Sequence, residues 1–281
     1  MTLLKIERSF LARPEHSNRK YVIAGNMIEE YKYDSPQPYH LLSMQMKSKG
    51  EGLKRDITPE QEKEIQLRSG TRAKQELRRL VDANHKQWKS SDGRQERQKF
   101  ITLTFTENMQ DLLKANSLFT DFIKRLNYFL TKSKTNQLKY VAVHELQKRG
   151  AIHYHIIFFN LPYVRNDRLE KIWGHGFTKP KVISSIKNIG NYMAKYLTKQ
   201  DHTAREKHQK RYFASRGLKK PFKVRKQETV SEIAYILKNQ APTYSVRPES
   251  SIVPFEYRTY DLSNAPQVRR EVLECLQYPT S

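Results

Sequence analysis

The alternation of apolar and polar positions divides the chain into segments of distinct kinds. Phe100-Ile101-Thr102-Leu103-Thr104-Phe105 alternates, with β-branched and aromatic residues throughout, and predicts a strand. From Asp111 to Leu130 the apolar residues Leu112, Ala115, Phe119, Phe122, Ile123, Leu126, Phe129 and Leu130 recur three and four apart, the stripe of an amphipathic helix. Two apolar runs, Tyr140 to Leu146 and Ile152 to Phe159, flank a tight polar turn and predict a strand pair. Beyond them the pattern gives a short helix near Trp173, a strand around Phe177 to Ile183 and a helix from about Ile186 to Thr198. This order predicts an α+β core, a mostly antiparallel sheet with helices packed on it.

The flanks are less regular. Lys20 to Ala24 and Ile28 to Tyr33 are short β-prone runs among turn residues, read as a small hairpin or a loose arm. Thr58-Pro59-Glu60-Gln61 combines an N-cap residue, Pro in the first turn and Gln three positions on, so a helix is expected from there towards Trp88. Polar residues 90–94 mark a boundary. The expected division is a basic N-terminal extension over 1–98, a core with a basic flank over 99–226, and a C-terminal extension over 227–281. Within that extension, Val253 to Tyr257 is read as an edge strand or a docking tail.

Composition adds one strong signal. The 281 residues carry 52 Lys and Arg against 29 Asp and Glu, a net charge of +23, which calls for a polyanionic partner, DNA or RNA. A hydrophobic fraction of 37% leaves little surplus for a large second core. No run of about 18 apolar residues offers a membrane-spanning helix, and the first residues lack the apolar region of a secretory signal. The expectation is a soluble, cytoplasmic protein with no membrane partner. A single Cys275 excludes internal disulfides and a Cys-rich zinc module.

Candidate chemistry sits in the second strand pair. The two-residue period places His153 and His155 on one face and Tyr154 on the other. If Lys148-Arg149-Gly150 is a three-residue hairpin loop with Gly in the left-handed position, Gln147 pairs with Ala151 and Glu145 falls opposite His153. Two imidazoles and a carboxylate with open positions suit Mg²⁺ or Mn²⁺ better than a closed zinc site. The plainer alternative is that the three side chains satisfy one another on a wet sheet face. On the following helix, Tyr192 and Tyr196 share a stripe, each with a lysine three positions later, Lys195 and Lys199. A phenol with a pKa of about 10 is a weak nucleophile at neutral pH unless a cation or metal assists it. Here the plainer alternative is a pair of aromatic rings packed on the sheet.

These pieces, in this order, resemble the HUH endonucleases of the rolling-circle replication initiator (Rep) superfamily. Phe100 to Phe105 is similar to the family's first motif, His153-Tyr154-His155 to its two-histidine motif and Tyr196-Leu197-Thr198-Lys199 to its Tyr-x-x-Lys motif. Glu145 lies where viral members place a third metal ligand. The stretches from Glu145 to His155, from Ile172 to Phe177 and from Ser215 to Pro221 resemble Rep proteins of plasmids and phages from low-GC Gram-positive bacteria. The resemblance implies a ferredoxin-like core and metal-dependent nicking of single-stranded origin DNA. It further implies a tyrosine nucleophile, Tyr196 first and Tyr192 second, a 5′-phosphotyrosyl intermediate, and Lys199 or Lys195 on the phosphate. Because no Gly-x-x-x-x-Gly-Lys-Ser/Thr loop occurs, unwinding is expected from a host helicase or from supercoiling, and extension of the 3′ end from a host polymerase. A transposase of the same chemistry and a non-catalytic basic nucleic-acid-binding protein are the alternatives. The basic flanks are expected to follow DNA through Arg72, Arg78, Arg79, Trp88, Lys148, Arg149, Arg211, Arg216, Lys219 and Lys220.

Overall fold

The computed structural model describes residues 16–38, 58–89, 93–147, 149–181, 183, 186, 188–198, 211–249 and 253–277. Along the chain run β1 (His16–Ala24), β2 (Met27–Pro38), α1 (Pro59–Asn84), β3 (Lys99–Phe105), α2 (Leu112–Thr131), β4 (Tyr140–Leu146), β5 (Ile152–Phe158) and α3 (Asn166–Trp173). They are followed by β6 (Gly176–Lys181), α4 (Ile189–Thr198), β7 (Phe213–Ala214), β8 (Phe222–Val224), α5 (Gln227–Ile236), β9 (Tyr244–Val246), β10 (Phe255–Asp261) and α6 (Pro266–Gln277). The class is α+β as expected, with two antiparallel five-stranded sheets among the described residues.

The chain divides into two compact units, Ile57–Lys220 on one side and Met1–Asp56 with Pro221–Ser281 on the other. This differs from the expected three-part division. α1 belongs with the core, and the N-terminal hairpin belongs with the C-terminal segment, because β10 pairs with β2 from Phe255 opposite Tyr33 to Asp261 opposite Met27. A partnership across more than 200 residues leaves no trace in local periodicity. The charge divides unevenly: residues 57–220 hold 34 of the 52 Lys and Arg but 15 of the 29 Asp and Glu, so +19 of the +23 lies there.

In the unit 57–220 the strand order is β6-β3-β5-β4-β7. Its first four strands, taken with α2 and α3, follow the split βαβ order of a ferredoxin-like core. One face buries Ile101, Leu103, Tyr154, Ile156 and Phe158 against Phe119, Phe122 and Leu126 of α2 and Trp173 of α3. Each such large apolar side chain contributes about 1.5–3 kcal/mol on burial. The other face packs Phe100, Val141, Val143 and Ile157 against Leu77, Leu80 and Val81 of α1 and Ile189, Met193 and Leu197 of α4. α1 starts as its sequence predicts, with the Thr58 side chain accepting from Gln61 N–H and the Gln61 side chain accepting from Thr58 N–H. Its last turns lie along α4 so closely that Gly190 has room for no side chain: a Cβ there would stand 2.4 Å from Asp82 Oδ1 and 2.7 Å from the Arg78 carbonyl. Asp82 Oδ1 also accepts from Gly190 N–H at 3.2 Å, which fixes the start of the tyrosine helix.

The second unit has strand order β8-β1-β2-β10-β9. It buries Tyr21, Ile23, Ile28, Val230, Ile233, Tyr260 and Val272 in a small core of its own. The composition had left room for little more. Far from an edge or tail, β10 is interior, hydrogen-bonded to β2 on one side and β9 on the other.

Candidate functional site

The β4–β5 hairpin delivers the expected register. Gln147 N–H donates to the Ala151 carbonyl at 2.9 Å and Gly150 N–H to the Gln147 carbonyl at 2.8 Å. Gly150 takes φ +81°, the left-handed value the turn needs. Glu145 stands opposite His153 and Val143 opposite His155. Gln110, just ahead of α2, donates to the Arg149 carbonyl at 3.2 Å and pins the hairpin from outside.

Around His155 the bonds are short and directed. Its Nε2 lies 2.6 Å from Glu145 Oε2 and its Nδ1 3.1 Å from Thr102 Oγ1 on β3. A ring held through both nitrogens has a fixed orientation. His153 Nδ1 lies 3.2 Å from the Gln147 side-chain amide, whereas its Nε2 is buried without a hydrogen-bond partner. Burial chiefly, with the Arg149 charge adding and Glu145 opposing, holds the His153 pKa below the ordinary histidine value. Its neutral form, the one that can act as a ligand, is therefore favoured.

α4 lays its tyrosines over this row. The Tyr196 ring stacks on His155 with centroids 3.7 Å apart and an interplanar angle of 24°. Tyr196 O–H donates to the Tyr192 oxygen at 3.0 Å, and Lys181 Nζ of β6 donates to that same oxygen at 3.1 Å. Burial first, then the bond to Tyr192 and the Glu145 charge, push the Tyr196 pKa well above the usual phenol range. Both tyrosines also touch Phe100, so each plainer alternative is partly right: the rings pack on the sheet and the carboxylate closes on a histidine. Packing brings the two constellations together.

Among the described residues no three His, Cys, Asp or Glu side chains stand in a metal-holding arrangement. Glu145 and His155 are closed on each other at 2.6 Å, nearer than the roughly 3 Å between neighbouring ligands set about 2.1 Å from one ion. The donor set nevertheless fits a divalent cation in kind. It holds a carboxylate, an oriented imidazole, and a second imidazole whose buried Nε2 has no protein partner.

The remaining sequence-predicted residues are dispersed. Lys195 is exposed, with its Nζ 6.0 Å from the centre of the Tyr192 ring. Lys199 and Lys148 lie outside the described residues. Arg72, Arg149, Arg216, Lys219 and Lys220 are exposed, while Arg78 and Arg79 are half-buried on α1. Arg211 Nη2 donates to the Gln66 carbonyl at 3.3 Å. Trp88 packs at the edge of the α1–α4 core, and its indole N–H donates to Asn84 Oδ1 at 3.1 Å. Asn84 also bonds the backbone N–H and C=O of Lys219, so Trp88 and the Lys219 loop are stapled to the core at one residue.

Sequence reasoning missed Thr102 and Lys181. Their signal was present as alternation on the strands beside the histidines, legible only once strand order is known. No curated protein and no solved structure matches the chain. No helix among the described residues is long and apolar enough to cross a membrane. Residues 98–201, which run from β3 through the tyrosine helix, match the family model for the replication-associated protein ORF2, so the part of the chain that carries this site is a Rep-type replication-initiator segment.

Proposed function

We propose that this site nicks and rejoins single-stranded origin DNA through a tyrosine, in the manner of an HUH endonuclease that starts rolling-circle replication. One observation carries the reading: the Tyr196 ring lies face to face on His155, the histidine bonded to Glu145. A nucleophile-bearing side chain thus sits against the chain's best cluster of metal donors.

In the reaction the tyrosine oxygen forms a bond to the scissile phosphorus as the bond to the 3′ oxygen breaks. The phenol loses a proton and the departing 3′ oxygen gains one, leaving a 5′-phosphotyrosyl link and a free 3′-OH. Because the link conserves the phosphodiester, the same 3′-OH can reverse the step. Glu145, His153 and His155 would hold Mg²⁺ or Mn²⁺, which supplies Lewis-acid polarisation of the phosphate when bound. Thr102 keeps the His155 ring oriented. Gln147 can turn its amide oxygen to His153 Nδ1–H, which leaves the lone pair of Nε2 outward. Lys195 and Lys199 are the candidate phosphate contacts on the tyrosine helix. A host helicase and polymerase would open the duplex and extend the 3′ end in the cytoplasm.

A second reading exchanges the tyrosines. The Tyr192 oxygen accepts from both Lys181 and Tyr196, surroundings that favour a phenolate. Labelled single-stranded DNA spanning candidate origins, incubated with manganese, decides the matter. A covalent adduct that survives boiling in detergent and disappears in Tyr196→Phe is the expected result. Loss in Tyr192→Phe with full activity in Tyr196→Phe moves the nucleophile. No adduct from the wild type with any origin strand overturns catalysis and leaves a basic binding protein.

A further inference from the structure

The register across the sheet extends the site to a strand that the chemistry above has not used. Glu145, His153, Thr104 and Phe177 form one row across β4, β5, β3 and β6. Val143, His155, Thr102 and Lys179 form the next, and Val141, Ile157, Phe100 and Lys181 the third. Residues directly opposite share a face, so Phe177, Lys179 and Lys181 project on the same side as the histidines. All three are exposed, and Phe177 keeps 61% of its surface in contact with water.

We infer that β6 is a rail for single-stranded DNA leading to the tyrosine pair, with Phe177 stacking a base and Lys179 and Lys181 taking phosphates. The inference rests on the nicking reading for its direction and adds the surface that presents the substrate. Three observations support that occupant. Alternate residues of a strand stand about 7 Å apart, so the three side chains span a few nucleotides of a strand rising about 3.4 Å per nucleotide. An aromatic ring followed by cations is the combination that holds single strands, stacking the base and neutralising the backbone. Lys181 already donates to the Tyr192 hydroxyl, so a phosphate it holds lies beside the phenols.

Lysines also guard sheet edges against pairing with other chains, and β6 is an edge strand. Edge protection accounts for Lys179 and Lys181. It does not account for a largely exposed Phe177 in the same row as His153, nor for a lysine bonded to a tyrosine of α4.

Binding is tested without chemistry, using a fluorescein-labelled 20-nucleotide thymidine strand and full-length protein. Phe177→Ala should weaken binding about tenfold. Lys179→Ala should lower the slope of log affinity against log salt by about 0.7, one phosphate's share for a single strand. Phe177→Trp should bind normally, and its added emission, measured against the wild-type background of two tryptophans, should be quenched by an unlabelled thymidine strand and not by a duplex of the same length. If Phe177→Ala fails to fold, the Phe177→Trp variant decides alone. Unchanged binding in Phe177→Ala, or unquenched emission from the introduced tryptophan, overturns the rail. Quenching by strand and duplex alike also overturns it, because it shows no preference for single strands. Since these readouts need no nick, a wild type that forms no adduct sinks the nicking reading and leaves the rail to be judged separately.

Discussion

Two buried glutamates, one in each unit, show how differently the same side chain can be used. Glu30 on β2 has a side chain 2% exposed and accepts from Tyr21 O–H at 2.9 Å, Tyr260 O–H at 2.9 Å and Arg19 Nη1 at 3.1 Å. Both its oxygens are satisfied by hydrogen-bond donors on neighbouring strands. Glu145 on β4 has a side chain 14% exposed; it closes on His155 and stands opposite a histidine whose outer nitrogen has no partner. A completed network holds a sheet together. An incomplete one, in the unit that carries +19 of the charge, keeps a donor available for chemistry.

The comparison can be broken from either end. On the nicking reading, His153→Ala should slow adduct formation at least about 100-fold while keeping most of the salt-sensitive binding to single strands. Equal loss of both, with a lowered melting temperature, would mean that this histidine holds the fold as Glu30 does. Glu30→Leu should do the reverse. It strands two phenol hydroxyls and a partly exposed Arg19, and should cost about 2–3 kcal/mol, read as a lower urea midpoint. Its nicking rate should stay at the wild-type value wherever the protein is folded, and a large drop would show that the two networks are not separate. The smallest effect is expected from Gly190→Ala. The new Cβ must displace Asp82 or the Arg78 carbonyl, costing about 1–2 kcal/mol. Because α4 carries both tyrosines, nicking should slow severalfold as stability falls. Unchanged kinetics would show that the tyrosine helix tolerates displacement.

Much of the site was legible because the signals that fix it are local. Gly150 sets the turn, the turn sets the register, and the register places Glu145 opposite His153. The spacing of Tyr192 and Tyr196 likewise survives as a bonded pair. Illegible were the relations that depend on strand order. Nothing near Lys181 announces that Tyr192 lies beside it, and nothing near Thr102 announces His155. The second sheet was hidden for the same reason, since Glu30 meets Tyr260 only after 230 residues and Tyr244–Val246 is too short to show a period.

The pairing of β2 with β10 also has a consequence in time. A ribosome adding roughly 5–20 residues per second makes β1 and β2 early, then needs roughly 10–40 s more before β10 emerges. A lone two-stranded hairpin is at best marginally stable in water. Over that interval every element of the Rep-type unit, from α1 to β7, is synthesised and can close its own sheet. The segment made first is therefore finished last, and a chain stopped before Phe255 would carry the whole β6-to-β7 sheet beside an N-terminal hairpin whose β2 edge still awaits its partner.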